Sequence, residues 1–319
     1  QRPPQPAEIR ALEGADGFGQ VFPEHKYSIV KTLQAGGHLV GMTGDGVNDA
    51  PALKQADVGI AVSGATDAAR AAASLVLTEP GLSVIIHAVE EARRIFERMD
   101  SYAIYRITET IRIMIFVVLA MIAFNFYPIT AIMIILLAFL NDVPIITIAY
   151  DRTWLDPNPV RWNMHRVLSV SLAMGLTGVF GSFLMLYLGL TWLHLTIAEV
   201  QTYIFLKMAV SGHLTLFVSR SRGYFWKPPY PAPVMIWSAV GTKLLGTLLA
   251  AYGFGLIAPI DWAAIGLVWA YSLVWAFLTD FVKMFIYNHI DKGSPHNRSF
   301  LGRIRESLHT GGCADSRSR

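Results

Sequence analysis

The chain has 319 residues, 53% hydrophobic and 15% charged, with a formal net charge of +3 and a mean hydropathy of +0.43. That charge fraction lies well below the ~25% of soluble domains, and so small a net charge argues against a nucleic-acid partner. One cysteine, Cys313, excludes a disulfide framework and a cysteine zinc site.

The opening run, Gln1-Arg2-Pro3-Pro4-Gln5-Pro6, lacks the apolar core of a signal peptide and starts without methionine. We therefore expect a chain whose upstream part is missing. His38 to Met42 predicts a short buried strand. Gly44 and Gly46 then permit a tight turn that holds Asp45 at the carboxyl end of the strand, where open α/β sheets place their ligands. Asn48 and Asp49 open a helix over 49–56, with Pro51 tolerated in its first turn. Hard oxygen donors of this kind suit Mg²⁺, which takes one or two carboxylates and completes its shell with phosphate oxygens and water. Read without their neighbours, Asp and Asn are also ordinary turn and N-cap formers.

The full run Met42-Thr-Gly-Asp-Gly-Val-Asn-Asp-Ala-Pro-Ala-Leu-Lys-Gln-Ala-Asp-Val-Gly-Ile-Ala-Val62 resembles the hinge motif of P-type ATPases, a branch of the haloacid dehalogenase-like phosphotransferases. The resemblance implies that Asp45 binds Mg²⁺, with Thr43 and Gly44 beside it in the cofactor site. It implies that Asn48 and Asp49 hold the phosphoryl group. Val21-Phe22-Pro23-Glu24-His25-Lys26 resembles the segment that carries the family's phosphate-site lysine, so Lys26 inherits that role. Ala65 to Leu82 continues the likeness, which is strongest to type III plasma-membrane proton pumps and runs from about residue 10 to about residue 290. The fold it implies is a partial α/β, Rossmann-type haloacid dehalogenase-like domain over 1–95, an α-helical multi-pass membrane domain over 96–290, and a short basic tail over 291–319.

Six apolar segments support the membrane domain: roughly 103–126, 129–149, 167–190, 198–218, 233–257 and 262–287. Each has about the 20 residues that span ~30 Å of hydrocarbon. Arg93, Arg94 and Arg98 precede the first. Arg152, Arg161 and Arg166 lie between the second and third, and Arg220, Arg222 and Lys227 between the fourth and fifth. Lys292, Arg298, Arg303 and Arg305 follow the sixth, and the alternate connections carry no basic residue. The positive-inside rule then places both termini in the cytoplasm. Tyr127, Trp192, Trp226, Trp237 and Trp262 stand near segment ends, as an interfacial aromatic belt requires.

Ionisable residues at bilayer depth are costly and mark function by default. Asp142 lies in mid-segment, and Pro144, two residues on, frees backbone carbonyls near it. By resemblance Asp142 binds and releases the transported proton, with Asn141 sharing the site. Arg112 is implied to be a built-in counter-charge, although a snorkelling arginine is the alternative. Glu109 either pairs with Arg112 or faces water. Structural pairing or snorkelling is expected of Lys207, His213 and Lys243, while Glu199 and Asp280 fall near segment ends. A lone carboxylate with an arginine suits H⁺ better than a metal ion that needs 6–8 oxygen ligands.

The Asp-Lys-Thr-Gly phosphorylation motif is not found, and Asp151-Arg152-Thr153 only echoes it. The resemblance thus implies the C-terminal portion of a pump whose ATP-binding domain and N-terminal half lie elsewhere. The expected setting is a plasma-membrane bilayer. The alternatives are a pump for Mg²⁺ or Ca²⁺, a non-catalytic remnant or partner subunit, and a membrane-anchored phosphatase.

Overall fold

A computed structural model describes residues 4–81, 83–155 and 162–290. The expectations placed on residues 1–3, on Arg161, and on the tail with Lys292, Arg298, Arg303, Arg305 and Cys313 lie outside the described residues. The chain divides between Ala92 and Arg93 into two compact units.

The first unit contains α1 (Pro6–Glu13), α2 (Pro23–Ala35), β1 (Gly41–Gly44), a 3-10 turn (Val47–Asp49), α3 (Ala50–Gln55), β2 (Val58–Ala61), α4 (Asp67–Ala72) and β3 (Leu75–Val76). Proline stands in the first turn of α1, α2 and α3, where its missing N–H costs nothing. The strands form a parallel sheet in the order β1-β2-β3, with Gly41 opposite Val58 and Ile60 opposite Leu75. Small residues build the core: Leu53 packs with Ala61, Ala65 and Ala69, and Val30 with Ala52 and Ala56. α3 lies so close on β2 that a Cβ at Gly59 would stand 2.2 Å from the Leu53 carbonyl oxygen.

Two boundaries differ from the sequence reading. The strand expected from His38 begins at Gly41. Leu39 is exposed, and the Val40 N–H donates to the Asp57 carboxylate at 2.9 Å. That bond, with a second from Gln34, holds the Asp57 carboxyl below its ordinary range. Regular helix begins at Ala50, because Val47–Asp49 is wound as a 3-10 turn.

Among the described residues, six helices are long and apolar enough to cross a membrane. They are α5 (Ser83–Phe124), α6 (Ala131–Ile146, extended by a 3-10 turn over Thr147–Tyr150), α7 (Met164–Thr191), α8 (Ile197–Ser219), α9 (Pro233–Tyr252) and α10 (Trp262–Ile290). α8 is the hub, packed by α6, α7, α9 and α10 and buried over almost its whole circumference. Its apolar residues run all round, as a central helix requires. Gly175, Gly178 and Gly181 form a seam on α7. Added Cβ atoms there would meet Ile111 at 2.7 Å, Arg112 at 2.7 Å and the Trp275 ring at 2.4 Å. Small residues let membrane helices approach this closely.

The first apolar segment is the second half of a longer helix that starts at Ser83, since no glycine or proline interrupts 83–124. The fifth helix stops at Tyr252 rather than 257. Gly253 turns left-handed (φ +68°) and closes the helix, with the Ile257 carbonyl 2.3 Å from where its Cβ would be.

Candidate functional sites

The glycine turn builds the first site at the carboxyl end of β1. Asp49 is buried, while Thr43, Asp45 and Asn48 are exposed beside it. The Lys26 ammonium, from the first turns of α2, donates to Asp49 Oδ1 at 2.6 Å. The backbone N–H groups of Asp45 and Gly46 reach Asp49 Oδ2 at 3.2 and 3.4 Å. Burial pushes the Asp49 carboxyl up, but the Lys26 bond and the two N–H groups outweigh it and hold the acid below its ordinary range. Gly44 makes this possible, because a Cβ there would lie 2.5 Å from the Asp49 Cβ. Lys26 and Asp49, separated by 23 positions, are thus brought together. The Asp45 carboxylate stands at the strand end as an exposed oxygen donor.

The second site lies among the membrane-capable helices. Arg106 Nη2 on α5 meets Asp142 Oδ1 on α6 at 2.9 Å, and both side chains are about half exposed. Arg112 does not contact Asp142. It is buried, and its guanidinium binds Glu109 Oε2 at 2.5 Å, Ser211 Oγ at 3.0 Å and the Met208 carbonyl at 3.2 Å. The reason is helical geometry. Six residues at 3.6 per turn place Arg106 and Arg112 about 120° apart around α5, so one faces α6 at Asp142 and the other faces α8. Arg112 therefore does not snorkel here, and Glu109, left open between pairing and water, is paired.

Pro144 lies inside α6 and, lacking an N–H, leaves the Leu140 carbonyl four residues back without a helical donor. His213 Nε2 on α8 takes that carbonyl at 3.1 Å, which requires the proton on Nε2. Asn141 is buried next to this break. Asn141 Oδ1 and Arg112 Nη2 both crowd Gly212, 3.1 and 3.3 Å from where its Cβ would be. Lys207 is fully buried and donates to Ser182 and the Gly178 carbonyl. Lys243 sits over the rings of Phe217 and Trp269. Asp280, expected near a segment end, is fully buried against Lys283 at 2.7 Å.

Arg106, Ser211 and the His213 bond to α6 were missed from sequence. Only the recurrence of charge at 106, 109 and 112 along one helix hinted at the first. Asp151 is a staple and not a phosphorylation site: its carboxylate binds Arg220 at 2.8 Å and accepts the Ala232 N–H at 2.9 Å.

No family model matches the chain. Over 279 residues it is 56% identical to a curated protein named "Putative cation-transporting ATPase MJ1226", from Methanocaldococcus jannaschii. The alignment covers 88% of this chain and 34% of that protein, so the chain spans about a third of the relative's length. The likeness is to a cation-transporting ATPase as a class, and the relative's name specifies no ion.

Proposed function

We propose that this chain is the C-terminal portion of an ATP-driven, proton-exporting P-type ATPase. In this reading the first unit is the end of a haloacid dehalogenase-like phosphorylation domain. The six helices are the second part of a multi-pass domain in the plasma membrane, with both termini cytoplasmic. The remainder of the pump, including the ATP-binding domain and the phosphorylated Asp, is its partner.

In the first unit, Lys26 neutralises charge on a transferring phosphoryl group. Asp49 holds the ammonium in place until phosphate competes for it, and Asn48 stands on the same turn. Asp45, exposed at the strand end beside Thr43 and Gly44, presents hard oxygen atoms that fit Mg²⁺. That ion would supply further neutralisation of phosphate charge when bound.

In the membrane unit, Asp142 carries the proton. Its ion pair with Arg106 is the proton-free form of the site, and a proton can settle on the carboxylate only as Arg106 withdraws. The break at Pro144, held by His213, gives α6 a hinge next to that carboxylate. The observation that carries the choice of ion is the pairing of acids with bases. Glu109, Asp142 and Asp280 are each matched to a basic side chain. Among the described residues no group of three or more acidic, His or Cys side chains could hold a metal ion. A divalent cation would face guanidinium and ammonium groups where it needs oxygens.

The test is ATP-driven transport by the complete protein in sealed vesicles. Acidification that persists in buffers without Ca²⁺, with Mg²⁺ present only as the nucleotide complex on the ATP side, supports the reading. Uptake that requires a lumenal or external metal ion, without acidification, overturns it.

A further inference from the structure

We propose that Glu109 is a second proton-binding carboxylate of the membrane unit, in a closed polar site shared with Arg112, Asn141 and Ser211. The choice of H⁺ as its ligand rests on the reading above; the site itself rests on geometry.

Glu109 is 4% exposed, deep inside the packed helices. One of its oxygens, Oε2, is bound by Arg112. The other, Oε1, is buried without a hydrogen-bond partner. Asn141 Oδ1 is likewise buried and unpartnered, next to Arg112 at the bare Cα of Gly212. A buried acceptor without a donor costs on the order of 1–3 kcal/mol, and although Arg112 Nε is an unpartnered donor in the same cluster, neither Glu109 Oε1 nor Asn141 Oδ1 is hydrogen-bonded to it. A proton on Glu109 turns one of these oxygens from acceptor into donor.

Glu109 Oε1 is left outside the ion pair, and a buried pair gains most when its remaining lone pairs are satisfied. Arg112 does not depend on Glu109 for its position. Ser211 Oγ, Thr215 Oγ1 and the Met208 carbonyl hold the guanidinium from α8. Glu109 can therefore be neutralised while the arginine stays in place. The charged groups facing Glu109 are Arg106 and Arg112 on its own helix and Lys207 on α8, with the Tyr105 hydroxyl nearby on α5. Arg112 also lines a small cavity with Thr108, Lys207, Ser211, Thr215 and Ser272, and Ser272 Oγ in its wall is buried and unpartnered. The cavity thus gathers the hydroxyl-bearing side chains of Thr108, Ser211, Thr215 and Ser272 around Arg112, the partner of Glu109.

The experiment labels the full chain, reconstituted in phosphatidylcholine vesicles, with dicyclohexylcarbodiimide, which modifies protonated carboxyl groups in apolar surroundings. Mass spectrometry then locates the adduct. Labelling of Glu109 that rises several-fold from alkaline to acidic buffer, disappears in Glu109→Gln and persists in Asp142→Asn, is the expected result. No adduct on Glu109 at any pH in the folded wild-type chain, with ready labelling after denaturation, overturns the proposal without relying on a variant that must fold. The two readings fail separately. Unlabelled Glu109 alongside a transport-dead Asp142→Asn pump sinks only the second site, and labelled Glu109 alongside a fully active Asp142→Asn pump sinks only the role of Asp142.

Discussion

Arg106 and Asp142 face each other across α5 and α6 at 2.9 Å, while Arg112, six residues along the same helix, turns to Glu109. The partner of the carboxylate is thus Arg106. Arg106→Gln should impair proton transport by the complete protein at least tenfold, with Arg106→Lys retaining part of it because charge survives without the planar fork. Arg112→Gln should instead lower the yield of folded protein, since it strips Glu109 and three groups on α8 of their donor. Equal transport loss with normal folding in both variants would contradict this division of roles.

The Lys26–Asp49 pair should make the first unit sensitive to acid. The folded acid sits below the ordinary value of 3.8. Its contribution is therefore present in full above that pH and is lost as pH falls through the folded value. With Lys26 more than a third exposed, the contribution is about 1 kcal/mol. Hydrogen exchange of the α2 and α3 amides, corrected for intrinsic rates, should show protection falling on acidification below 3.8. Asp49→Asn should flatten that fall.

Asp151 and Arg220 are both buried and bind each other at 2.8 Å, and Arg220 also caps the Arg152 and Pro229 carbonyls. Removing one partner of such a pair leaves an uncompensated charge and costs ~3–5 kcal/mol. Thermal unfolding in detergent should show Arg220→Ala strongly destabilised, and Arg220→Lys should recover little, because an ammonium cannot reproduce the fork. A melting temperature unchanged in Arg220→Ala would refute the staple.

The six membrane-capable helices were legible because length and apolar character are properties of contiguous sequence. The join of Lys26 to Asp49 could be anticipated only through the resemblance, since nothing local links positions 23 residues apart. The pairing of Asp142 was not legible. It depends on how α5 is rotated against α6, and a turn of about 120° exchanges one arginine for the other. The role of His213 was hidden for a related reason: the carbonyl that Pro144 releases belongs to α6, and its donor arrives from α8. Helix ends were blurred where a cap such as Gly253 acts through backbone angles.

In the proposed function Asp142 carries the transported proton. The most direct test is ATP-driven acidification of sealed vesicles by the complete protein, wild type against Asp142→Asn. The amide cannot exchange a proton yet keeps the side chain's size. Acidification should be abolished while the variant folds and inserts normally. Acidification at the wild-type rate in Asp142→Asn would contradict it.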